Sequence, residues 1–150
     1  MKKFFAAVLA AAVLIAAIAG CTAAPAAETA EENADLAEKF YTFSQDIPDA
    51  DIEAFAAEIR DAFVGGDWQK IADNANFPLR VGEITCDTAE DFLAQDWDSY
   101  FSEDFISEMK AETCHEMGFN GEGFMLANGL VWVFSVADGG SRLVVWSVNA

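Results

Sequence analysis

Positive charge is what this sequence is short of. Its 150 residues carry 8 Lys and Arg against 26 Asp and Glu, a formal net charge of −18 at pH 7. A field of that sign repels nucleic acid and anionic lipid headgroups, so nucleic-acid binding is excluded. Histidine is nearly missing as well. His115 is the only one, and any acid-base chemistry near neutral pH would fall to it or to a carboxylate with a raised pKa. One histidine and a few dispersed thiols do not make a zinc site. The alternating acids at Asp49-Ala-Asp51-Ile-Glu53 and Asp96-Trp-Asp98-Ser-Tyr100 lack the glycine and closing glutamate of an EF-hand loop, and they read as solvated helix starts. No metal and no cofactor is implied. The acidity itself reads as a solubility device rather than an acidic binding site.

What is present begins with a short apolar run. Lys2 and Lys3 precede Phe4 to Ala19, 16 residues without a charge. A spanning helix needs about 20 apolar residues with anchoring flanks, so this is the anatomy of a secretory signal rather than of a transmembrane helix. The tetrapeptide Ile18-Ala19-Gly20-Cys21 resembles the lipobox of bacterial lipoproteins. That resemblance implies cleavage after residue 20, diacylation of Cys21, and an extracytoplasmic protein held on a bacterial membrane by its lipid, at the cell surface or in the periplasm. An ordinary signal peptide cleaved at Ala19 or Gly20, with Cys21 a plain thiol, is the alternative. Several acyl chains on one cysteine exceed the two-signal threshold for stable anchoring. Cleavage would remove two lysines and no acid, taking the net charge from −18 to −20.

Residues 21–46 are rich in Ala and Glu, with Phe40, Tyr41 and Phe43 as their only apolar cluster. Low hydrophobicity and charge of one sign predict a self-repelling tether, with a short helix near Leu36 to Phe43. Residues 47–150 are then one domain, large enough for a single core. Ile52, Phe55, Ile59 and Phe63 recur at helical spacing and Gly65-Gly66 ends that helix. Asp67 caps a second helix, which Pro78 stops. Leu79 to Thr85 reads as a strand, Thr88 to Asp91 as a capping box, and Tyr100, Phe101, Phe105, Ile106 and Met109 as one further helix. Thr113 to Phe119 is expected to add a strand.

From Glu122 to Ala150, three β-rich runs are separated by Asn128-Gly129 and by residues 137–141. Both interruptions favour tight turns, so the fold class is α+β: N-terminal helices packed on a curved antiparallel sheet with a C-terminal β-meander. In this register Met125 faces Trp132, Trp132 faces Trp146, and Phe134 faces Val144. One sheet face then carries Met125, Leu130, Trp132, Phe134, Val144, Trp146 and Val148, and the other carries Phe124, Leu126, Val131, Val133, Leu143 and Val145. Both faces are apolar, so both need a cover. The bulky face, with Trp68, Met125, Trp132, Phe134 and Trp146, is expected under the helices as core or as the lining of a pocket. The face of Phe124, Leu126, Val131, Val133, Leu143 and Val145 is expected to be a homodimer interface.

The order of elements, with Phe77-Pro78-Leu79 leading into the first strand and Gly129-Leu130-Val131-Trp132 in the meander, resembles the nuclear transport factor 2-like superfamily. That α+β cone includes ketosteroid isomerase and SnoaL-like enzymes. The resemblance implies a pocket between sheet and helices and dimerisation through the sheet. An isomerase-like site needs a carboxylate base and a buried acid donor in one cavity, for which Glu83 on the first strand is the residue to inspect. His115 at a strand start reads as a partly exposed side chain, and its neighbour Cys114 would point to the opposite face. Cys86 and Cys114 are a candidate disulfide for an oxidising compartment, worth about 3 kcal/mol over the 27 residues between them; two reduced cysteines are the alternative. Function is expected to be non-catalytic binding of a small apolar ligand or a protein partner. The alternatives are an enzyme using a pocket carboxylate and an accessory module of cell-envelope assembly.

Overall fold

The computed structural model describes residues 39–137 and 141–150. The expected signal sequence, Cys21 and most of the expected tether lie outside these residues. Helix α1, Asp49–Gly65, follows Pro48, whose carbonyl accepts from the amides of Asp51 and Ile52. Asp49 and Asp51 stand in its first turn, where the helix dipole favours negative charge. Ile52, Ala56, Ile59, Ala62 and Phe63 form its buried stripe. Gly66, at φ 67°, closes it with the left-handed residue that glycine adopts at least cost. Asp67 caps α2, Trp68–Asp73, by accepting from the Lys70 amide. This helix ends at Asp73 rather than at Pro78.

Pro78, joined to Phe77 by a cis peptide bond, instead lies inside strand β1, Ala75–Val81. The expected single strand is a hairpin, since β2, Ile84–Cys86, pairs antiparallel with β1 across Gly82 and Glu83. Three short helices follow. Thr88 and Asp91 form the expected capping box at α3, Ala89–Leu93. The next apolar stretch is split in two, α4 at Trp97–Tyr100 and α5 at Glu103–Ala111, because Ser102 leaves the helix and caps α5 through the Phe105 amide. Thr113 to Phe119 is not a strand. Cys114 and Glu116 take positive φ, and pairing there is confined to one bridge between Phe119 and Phe124.

The meander is β3, Gly123–Leu126, β4, Val131–Ala137, and β5, Ser141–Val148. Sheet order is β2-β1-β5-β4-β3. The sheet is mixed, because β1 and β5 run parallel in its centre. No turn joins those two strands, so turn chemistry in the sequence gives no sign of their pairing.

Met125 pairs with Trp132 and Phe134 with Val144, as expected. Trp132, however, pairs with Ser147, because a bulge inserts one extra residue in β5 between the partners of Val133 and Trp132. Val145 and Val148 therefore both face the core, and Trp146 and Ser147 together stand where a regular strand has one residue.

The core lies between the sheet and the helices. Phe124, Leu126, Val131, Val133, Leu143 and Val145, expected to be a dimer face, are buried there with Ile52, Phe63, Phe92 and Trp97. Helices rich in aromatic rings fit a sheet face of smaller branched side chains, so volume is shared across the layer. The domain also begins earlier than residue 47. Tyr41 is 0% exposed, and its ring packs near Phe40, Phe43, Phe119 and Phe124. The compact unit runs Glu38–Ala150. Residues 39–47 form turns rather than a helix; Asp49 accepts from the amides of Phe40 and Tyr41, and Lys39 donates to the carbonyls of Ser44 and Ile47.

Candidate functional site

Alternation fixes which side chains share the outer side of the sheet, and the helices cover only the inner side. Met125, Trp132 and Phe134 are half-buried on the outer side, and Trp146 is 42% exposed. These four had been expected to line an interior pocket. The structure keeps them together but turns them outward. Trp68 is separate from them, packed in the helical layer against Phe63 and Phe101, with its indole N–H donating to Asp98 at 2.9 Å.

The outer aromatics are ordered by their own contacts. Phe134 and Trp146 stack at 5.1 Å with planes 11° apart, and Trp132 meets Phe134 edge-on at 6.4 Å. Val144, opposite Phe134, is fully buried but lies outside the helix-side core. The face is apolar over β3, β4 and β5, which is the composition of a surface that gains free energy when covered. Its charge is equally distinctive. None of the five strands contains an Asp or Glu, and their only charged residues are Arg80 and Arg142, both exposed. Among the described residues, the acids are confined to helices, turns and loops.

Residues weighed for catalysis are not gathered in one cavity. Glu83 is exposed at the turn between β1 and β2. Ser44 is the single buried polar side chain among the described residues. His115 is 69% exposed, with Nδ1 2.8 Å from Glu53 Oε1, while its neighbour Cys114 is buried. Behind that pair, the Tyr41 hydroxyl donates to Glu53 at 3.3 Å and accepts from the Met117 amide at 3.0 Å. Burial of the phenol, reinforced by the Glu53 charge, pushes its pKa up to about 12. Tyr41 is thus a neutral strut joining the start of the domain to residues 114–117. Sequence reading missed it because an Ala- and Glu-rich context marks residues 21–46 as a tether, although Phe40-Tyr41-Thr42-Phe43 was the signal available.

Cys86 and Cys114 are separate buried thiols, not a disulfide. Burial pushes both thiol pKa values up, and for Cys114 the Arg60 guanidinium partly opposes this. Cys86 sits on β2 and Cys114 in the loop after α5, so the expected edge-to-edge placement on two strands fails with the strand at 113–119. Among the described residues no cluster of acids, His and Cys could hold a metal ion, and no helix is long and apolar enough to cross a membrane.

One open cleft of about 460 Å³ lies between the start of α1 and the start of β5, lined by Asp46, Ile47, Pro48, Asp51, Phe55, Asn74, Ser141, Arg142 and Leu143. No family model, no curated protein and no solved structure matches the chain.

Proposed function

We propose that this chain is a lipid-anchored, extracytoplasmic binding module, held through Cys21, that pairs with a second copy of itself through the outer face of its sheet. The observation that supports the reading is the open face of Met125, Trp132, Phe134 and Trp146 in strands that contain no acid. Two bodies that each carry a net charge of −20 once residues 1–20 are removed, 6 basic against 26 acidic residues, repel one another wherever carboxylates face. The sheet is the surface on which two copies meet with least repulsion and most apolar area.

Its size sets the expected strength. The five strands have seven, three, four, seven and eight residues, and each residue covers about 3.3 Å along its strand by about 4.8 Å across the sheet. The plan area is roughly 500 Å² on each copy, near the lower limit for a specific interface. A dimer dissociating in the micromolar range is the expectation.

Residues 21–150 with Cys21→Ser, measured by size exclusion with light scattering, should be dimeric at about 100 µM. Trp146→Glu should make them monomeric without unfolding them, since a carboxylate cannot enter a dry interface unpaired. Lys70→Glu, on the helical side, should change nothing. A wild-type monomer at that concentration overturns the pairing. The anchor is tested separately: incorporation of an alkyne fatty acid in cells should be lost in Cys21→Ser, and labelling that persists in the variant would sink that part of the reading.

A further inference from the structure

The cleft beside β5 brings opposite charges to a common apolar floor. Ile47 and Pro48 precede α1, Phe55 lies in its second turn, and Leu143 enters from β5. Asp51 stands on one wall and Arg142 at the rim where the sheet's outer face ends. Neither the Arg142 guanidinium nor the Asp51 carboxylate makes an ion pair or hydrogen bond among the described residues, although they line one cleft. Asp46, by contrast, is engaged by the Ser141 hydroxyl at 3.2 Å. Asn74, at the end of α2, spends its side-chain N–H on the Lys70 carbonyl at 2.9 Å, and its side-chain oxygen accepts no hydrogen bond among the described residues.

We infer that this cleft binds a zwitterion of dipeptide size with apolar side chains. The α-ammonium would sit by Asp51 and the Asn74 side-chain oxygen, the carboxylate would take the Arg142 fork, and the side chains would lie on Phe55, Ile47 and Leu143. A guanidinium presents paired N–H groups that match a carboxylate, and lysine could not substitute for it. The volume of about 460 Å³ falls within the range of small-molecule sites, and a floor of apolar side chains with a few polar groups is their usual make-up. A zwitterion has no net charge, so the acidic field of the chain does not repel it.

This site is independent of sheet pairing, and the experiment keeps the two apart. Calorimetry on residues 21–150 with Cys21→Ser, and on the same chain with Trp146→Glu, would use the dipeptide Leu-Phe, its N-acetyl form and its C-terminal amide as probes. Leu-Phe should bind both chains with a dissociation constant on the order of 0.1 mM. N-acetylation or amidation should weaken it at least tenfold, as should Asp51→Asn for the free dipeptide and the amide alike. Arg142→Ala should weaken the free dipeptide at least tenfold but leave the amide unchanged. No heat from Leu-Phe at 5 mM, or equal affinity for the blocked and free forms, overturns the inference. Phe55→Ala that leaves affinity unchanged would overturn the assigned floor.

Discussion

Removing the Tyr41 hydroxyl tests whether residues 39–46 belong to the folded domain or to a tether. The hydroxyl accepts from the buried Met117 amide at 3.0 Å and approaches Glu53 at 3.3 Å. In Tyr41→Phe the amide loses its partner inside the protein, at a cost of about 1–3 kcal/mol. Tyr41→Ala also empties the space of a fully buried ring between Phe43, Phe119 and Phe124, at about 3–5 kcal/mol. With a urea slope of about 1.5 kcal/mol per M, the unfolding midpoint should fall by about 1 M for Phe and about 2.5 M for Ala. The phenol adds a pH signature. Its folded pKa lies above its unfolded value of 10.0, at about 12, so its contribution is complete below pH 10 and is lost as pH rises toward 12. Between those limits wild type should lose up to about 1.4 kcal/mol per pH unit relative to Tyr41→Phe. If Tyr41→Ala shifts the midpoint by less than about 0.3 M, residues 39–46 do not pack on the domain and the strut does not exist.

Two further outcomes follow from contacts already described. A Cβ at Gly123 would lie 1.9 Å from the Val133 carbonyl oxygen on β4, so Gly123→Ala must separate two paired strands; a loss of about 3 kcal/mol in urea unfolding is expected, and a neutral variant would refute the β3 register. Both buried thiols should react with a chromogenic disulfide reagent at least about a hundredfold more slowly in the native protein than in urea. Alkylation after denaturation without reductant should add two groups at Cys86 and Cys114, whereas a disulfide would leave them unmodified.

Local chemistry in the sequence located most elements. The stripe from Ile52 to Phe63, the Asp67 cap and the Thr88 to Asp91 capping box each depend on residues within a turn or two of one another, and each forms as the spacing predicts. The hairpin register of Met125 with Trp132 was legible for the same reason. What was not legible is which sheet face the helices choose. Periodicity divides Trp132 and Phe134 from Val131 and Val133 but is symmetric between inside and outside, and the largest side chains are a misleading guide when Phe63, Phe92, Trp97 and Phe101 already fill the helical half of the core. The β5 bulge and the parallel pairing with β1 are likewise long-range outcomes without a turn to announce them. The cleft joins residues from Asp46 to Leu143, a separation that no local motif spans.

The position of β5 in the sheet also governs when the domain can form. Residues 141–148 follow every other strand in chain order, yet they bridge β1 to β4 in the centre of the sheet. Until that segment is delivered, the β2-β1 hairpin and the β3-β4 hairpin have no common partner, and the helices have no continuous surface to pack on. Folding is therefore a late, closing event that joins two otherwise separate hairpins, with the slow loop search that distant pairing imposes. A nascent chain built this way can complete its sheet only once residues 141–148 have left the ribosome, so the whole domain waits on its last few residues.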